Sequence, residues 1–176
     1  MSGGGATESG SQSVTISILD DESVPRVTLS VSATSIAENA GTSLTLTATL
    51  SKTAAEDVTV TFATSSSATE GTDYGSLSNI TVSAGATTGT TTFTPTDDSI
   101  YDAASNETAV VAINSVSGGD ALENGNQSVT ITITDNENAP TVSLTRSAAA
   151  IDENSSSVIT ITATLSNATY QDVTVS

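Results

Sequence analysis

Cysteine, histidine and tryptophan are all missing from this 176-residue chain. Their absence excludes disulfides, Cys/His zinc sites, a thiol nucleophile and any Ser-His-Asp arrangement. Basic residues are almost missing too: Arg26, Lys52 and Arg146 face twenty acids, for a net charge of −17. Phosphate backbones are gripped by Lys and Arg, so a nucleic-acid partner is excluded, and an anionic membrane surface is a poor match for the same reason. No apolar run approaches the roughly 18 residues of a spanning helix, so membrane insertion of this segment is not expected. The opening "MSGGGATESG" has neither a charged n-region nor an apolar h-region, and Met1 before Ser-Gly-Gly-Gly reads as a start placed on an excised piece. Aromatic residues make up only 3%, so a core must be built from Val, Ile and Leu. Ordering the backbone costs about 1–2 kcal/mol per residue, and so thin a core points to a contribution beyond apolar burial.

What the chain does contain, it contains twice. "GSQSVTISILDDESVPRVTLS" (Gly10–Ser30) returns as "GNQSVTITITDNENAPTVSLT" (Gly125–Thr145), an offset of 115 residues. At that offset Gln12 meets Gln127, Pro25 meets Pro140, Glu38 meets Glu153 and Asp57 meets Asp172. The match runs without a gap from Ala6 to the C-terminus with about half the positions identical. Such a period is too long for a solenoid unit and suits an immunoglobulin-sized domain. The expected organisation is the last strand of one module (1–24), a complete module (25–138) and the first strands of the next (139–176), within a longer tandem array.

Inside the module, period-two alternation recurs in "VTLSV", "SLTLTATL", "DVTVTF", "NITV", "TTFTP", "AVVAI" and "SVTITI", rich in β-branched residues. Turn signals such as "ENAGT", "TEGTDYGS", "SAGATTG" and "ENGN" separate them. No amphipathic helix stands out. About seven short strands with this spacing predict an all-β, immunoglobulin-like antiparallel sandwich. Pro25 and Pro140 mark the hand-over between modules, where a fixed φ stiffens the joint.

The acids avoid the strands. They gather at strand ends and in loops: Glu38, Asp73, then Asp97, Asp98, Asp102 and Glu107 in "PTDDSIYDAASNET", and Asp135 with Glu137 in "TDNEN". Two readings stand at this point. Each loop is separately solvated, or the loops meet at one end of the sandwich and a hard cation relieves their repulsion. Calcium takes about 6–8 oxygen ligands and needs neither Cys nor His. The EF-hand and glycine-rich nonapeptide calcium patterns are both absent.

With these residues in view, the module resembles the Calx-beta family of sodium/calcium exchangers, integrin subunits and giant bacterial surface proteins. The resemblance rests on "IAENAGTSLTLTATLS", "ATEGTDYGSLSNITVSAGATTGTTTFTPTDDSIYD" and "SVTITITDNEN". It implies a seven-stranded sandwich with Ca2+ at one end. On that footing Glu38 matches the first-strand glutamate ligand, Asp73 the aspartate of the Asp-Tyr pair, Asp97 and Asp98 the acidic run, and Asp135 the final-strand aspartate. Ile100 stands where the family lends a backbone carbonyl. Asp102 replaces a longer glutamate, "DAASNE" is about two residues longer than the common form, and Glu107 completes the set. Asn136 and Glu137 replace part of an aspartate run, which implies fewer charges. Asp20 and Glu153 are the matching ligands of the neighbouring modules.

The expected role is a non-catalytic, calcium-binding spacer in a long extracellular, bacterial cell-surface or adhesin protein, with adjacent repeats as its partners. Catalysis by paired acids is disfavoured, because three tyrosines and no tryptophan give a sugar no platform and no loop is long enough for a cleft. Unpaired strands in the two end fragments offer the alternative of self-association, a filament built by strand pairing between chains.

Overall fold

A computed structural model describes residues 4–7, 9–19, 21–102 and 107–176. Asp20 and most of the long "DAASNE" stretch, residues 103–106, lie outside the described residues.

The seven alternating stretches form β1 (Arg26–Val31), β3 (Leu44–Leu50), β4 (Val58–Ser65), β5 (Ile80–Val82), β6 (Thr88–Phe93), β8 (Glu107–Ser117) and β10 (Ser128–Thr134). Shorter segments add β2 (Ser35–Ala37), β7 (Ile100–Tyr101) and β9 (Leu122–Glu123). Beyond the module come β11 (Val142–Arg146), β12 (Ile161–Leu165) and β13 (Ala168–Thr169). Two sheets make the sandwich, one in the order β6-β3-β1-β9 and the other β2-β10-β8-β4-β5.

Alternation explains the packing. In β3, Leu44, Leu46, Ala48 and Leu50 are buried, while the threonines between them are exposed or half-buried. From the facing sheet come Val58, Val60, Ile80, Val82, Val111, Ile131 and Ile133. The scarce aromatics sit at one spot: Tyr74 and Phe93 are buried and stacked, with ring centroids 4.6 Å apart. That stack anchors the loop carrying Asp73 next to Tyr74. Gly71, at φ +88°, turns this loop so that its N–H reaches Tyr74 O at 2.7 Å.

The expected opening strand is divided between the sheets. β1 pairs antiparallel with β3, then the chain crosses over and β2 pairs parallel with β10 (Ser35 opposite Thr132, Ala37 opposite Thr134). Ser32 helps make the crossing, its Oγ accepting from Thr45 N–H at 2.9 Å. The consequence is functional: Glu38 leaves β2 beside the end of β10, where Asp135 follows.

The 115-residue period recurs in the ladders. β1 and β3 pair from Val27 opposite Leu50 to Val31 opposite Leu46, and β11 and β12 pair from Val142 opposite Leu165 to Arg146 opposite Ile161. Ser51 Oγ accepts from Arg26 N–H, as Ser166 Oγ does from Thr141 N–H, both at 2.9 Å. Burial does not recur. Leu46 is fully buried whereas Ile161 is 71% exposed, because β11 and β12 have no second sheet against them among the described residues. Residues 11–19 join no sheet, and Val14, Ile16 and Ile18 are exposed.

Candidate metal centre

Five places along the chain deliver acids to one end of the sandwich. Glu38 comes from the end of β2, Asp73 from the loop braced by Tyr74, Asp98 and Asp102 from either side of β7, Glu107 from the start of β8 and Asp135 from the end of β10. These six carboxylates line a single pocket with Ile100, Thr96, Ile133 and Tyr170. No lysine or arginine lines it.

Backbone hydrogen bonds hold the carboxylates in place. Asp135 accepts from Asp102 N–H at 2.8 Å through Oδ2 and from Glu137 N–H at 2.9 Å through Oδ1. Asp98 accepts from Ile100 N–H at 2.7 Å, Asp73 from Thr69 N–H at 2.6 Å, and Glu38 from Asn136 N–H at 3.2 Å. Thr96 N–H donates to Asp73 O at 3.0 Å and so ties the Asp73 loop to the acidic run.

Asp97 faces elsewhere. Adjacent side chains of an extended chain point to opposite sides, so Asp97 is separated from Asp98 and does not line the six-acid pocket. It instead joins Glu38 and Glu137, with one carboxylate oxygen of each lying within 4.8 Å of the others. Glu38 therefore stands between two groups of acids. Glu137 was not among the expected ligands. Its place in the acidic "TDNEN" that closes the last strand was the available signal. Thr96 and Tyr170 were not anticipated either.

This crowding raises the cost of ionisation. Burial, hydrogen bonding to Glu137 and repulsion from Glu137 and Asp135 push Glu38 up to about 8, against the pull of Asn136 N–H. Burial, with repulsion from Asp73 and then Asp102 and Asp98, pushes Glu107 up to about 7. Burial also works against Asp135, but the N–H groups of Glu137 and Asp102 outweigh it and hold its carboxyl below the usual range. Burial and the neighbouring Asp98 raise the Tyr170 phenol. Glu137 Oε2 is buried with no hydrogen-bond donor against it among the described residues.

An orphaned buried oxygen, two carboxyls pushed upward by burial and by their acidic neighbours, and an all-oxygen donor set fit a hard divalent cation such as calcium. Glu38, Asp73, Asp98, Asp102, Glu107 and Asp135 could hold one ion, and Glu38, Asp97 and Glu137 could hold another.

Solved structures with a similar fold include CBD12 from CALX1.2 (TM-score 0.53, 18% identity, 62% of this chain and 44% of that one). Others are the apo form of the Calx CBD1 domain (0.51, 16%, 63% and 98%) and the calcium binding domain CBD12 of CALX1.1 (0.50, 19%, 63% and 46%). The chain thus spans less than half the length of two of these three proteins. Comparison with curated proteins gives no match. The family model for the Calx-beta domain matches residues 20–137, which takes in the whole sandwich and its acidic end. The chain belongs to the Calx-beta domain family.

Proposed function

We propose that residues 25–138 form a calcium-binding, non-catalytic module that serves as a stiff spacer in a long extracellular surface or adhesin protein. One observation carries the calcium reading: six carboxylates from five places along the chain line one pocket with no cationic side chain among the described residues there. Glu38 and Glu107 then need either a proton or a cation near pH 7. Bound calcium would supply the missing positive charge and tie those stretches together. The spacer reading is supported by the repeat: residues 139–176 restate the start of the module, and Pro140 stands where Pro25 does. CBD12 of CALX1.1, whose fold is similar, is a calcium binding domain, which supports the calcium reading.

Titration calorimetry with calcium, on the chain and on Asp98→Asn/Asp135→Asn, tests it. Heat of binding in the first and none in the second supports the reading; no heat in either refutes it.

Strand exchange between chains is a second reading, favoured by one observation. Ile16 and Ile18 are 82% and 94% exposed, while the residues that match them, Ile131 and Ile133, are buried. A second copy could offer the missing partner. Sedimentation that stays monomeric at rising concentration would argue against it.

A further inference from the structure

One wall of the acidic pocket comes from outside the module. Tyr170 lines the pocket, and its hydroxyl donates to Asp98 Oδ2 at 3.3 Å. Its backbone N–H reaches Tyr101 O at 3.4 Å. Just before it, β13 pairs parallel with β7, Ala168 opposite Ile100 and Thr169 opposite Tyr101. One residue earlier still, Asn167 Nδ2 donates to Asn138 O at 2.8 Å across the joint. Four consecutive residues of the following repeat are therefore attached to the acidic end: by an amide to the joint, by a ladder to the strand carrying Ile100, and by a hydroxyl to a carboxylate.

The repeat shows that this attachment is not the same at every joint. At the 115-residue offset, Asn167, Ala168, Thr169 and Tyr170 correspond to Lys52, Thr53, Ala54 and Ala55. Those residues form the matching turn of the central module, and they border one cleft with Glu22 and Ser23. Glu22 and Ser23 themselves correspond to Glu137 and Asn138. At the earlier joint, then, Ala55 has no hydroxyl to give a carboxylate, and Lys52 places an ammonium where Asn167 places an amide.

We infer that Tyr170 is a positioning residue through which cation occupancy of the acidic pocket and docking of the following repeat are coupled by way of Asp98. We infer also that this coupling belongs to the joint after residue 138 and not to the joint before residue 25. The inference rests on the calcium reading and adds which residue carries it across the joint. Coupling is reciprocal, so whatever Tyr170 adds to cation affinity, the cation adds to docking. An ordinary net hydrogen bond, the class apt for a contact as long as 3.3 Å, corresponds to roughly a three- to tenfold change in affinity.

The cysteine-free sequence makes the test clean. Spin labels at Thr81→Cys on β5 and Thr162→Cys on β12 report the distance between module and repeat, in chelator and in saturating calcium. Calcium titration is run beside them on the chain, Tyr170→Phe, Tyr170→Ala and Asn167→Lys/Tyr170→Ala, the last converting this joint to the residues of the earlier one. The expected result is a distance distribution that narrows with calcium in the parent chain and stays broad in all three variants. Calcium affinity should fall about three- to tenfold in Tyr170→Phe, which keeps the ring and loses only the hydroxyl. Parent-like affinity and parent-like narrowing in Tyr170→Phe and Tyr170→Ala would overturn the inference while leaving calcium binding intact. If the parent chain binds no calcium, the proposed function fails and the coupling fails with it.

Discussion

Glu38 and Glu137 come from opposite ends of the module's sequence and bring carboxylate oxygens within 4.8 Å of each other. Neither carboxylate can donate a hydrogen bond to the other unless one of them keeps its proton. Burial and this neighbour push Glu38 up to about 8, and Glu107 reaches about 7 beside Asp73. The sign of the pH dependence follows. Both acids are raised above their ordinary value of 4.5, so the folded chain holds protons that the unfolded chain releases. Their contribution is complete below about pH 4.5 and is lost as pH rises through 7 and 8. Asp135, lowered instead, loses its contribution only below its ordinary 3.8, outside this window. In chelator, the denaturant midpoint should therefore fall between pH 5 and pH 8, and Glu38→Gln should flatten the slope. A midpoint that rises over that range would contradict the charge arrangement.

Asp135 accepts two backbone N–H groups, from Asp102 and Glu137. Asp135→Ala leaves both donors without that acceptor. It should cost about 1–3 kcal/mol of stability even in chelator, and it should remove the calcium response. Equal unfolding free energies for the variant and the parent in chelator would show that these bonds do not hold the loops.

At Gly118, φ is +89°, and an added Cβ would lie 2.1 Å from Asp57 O. Gly118→Ala should destabilise the module by about 1–3 kcal/mol through strain and overpacking. The turn contributes nothing to the lining of the six-acid pocket, so the calcium-induced gain in stability should persist in the variant. Urea unfolding with and without calcium separates the two effects, and loss of the calcium increment would link this turn to the acidic end.

Most of the sandwich was legible because alternation is a backbone property. "SLTLTATL" buries Leu44, Leu46, Ala48 and Leu50 whatever surrounds it, given one apolar face to meet. The crossing from β1 to β2 was not legible, since "SATSIAEN" carries no pattern that names the sheet it will join. β9 is two residues long and below the reach of any period. At the acidic end, proximity in sequence misled once. Asp97 and Asp98 are neighbours whose side chains part, Asp98 lining the six-acid pocket and Asp97 meeting Glu38 and Glu137 instead. Tyr170 was illegible for another reason. It belongs to the next repeat, where its counterpart in the central module is Ala55, so matching one module to another gives no sign of it.

The most direct test of the account is a pair of melting curves for this chain, one in excess calcium and one in chelator, at pH 7. A ligand at 100 times its dissociation constant adds roughly 2.7 kcal/mol to a folded state that alone binds it, which for a module of this size is on the order of 10 °C. The account predicts a calcium curve displaced upward by that order, and no displacement in Asp98→Asn/Asp135→Asn. Curves for the parent chain that overlay in calcium and in chelator would contradict it.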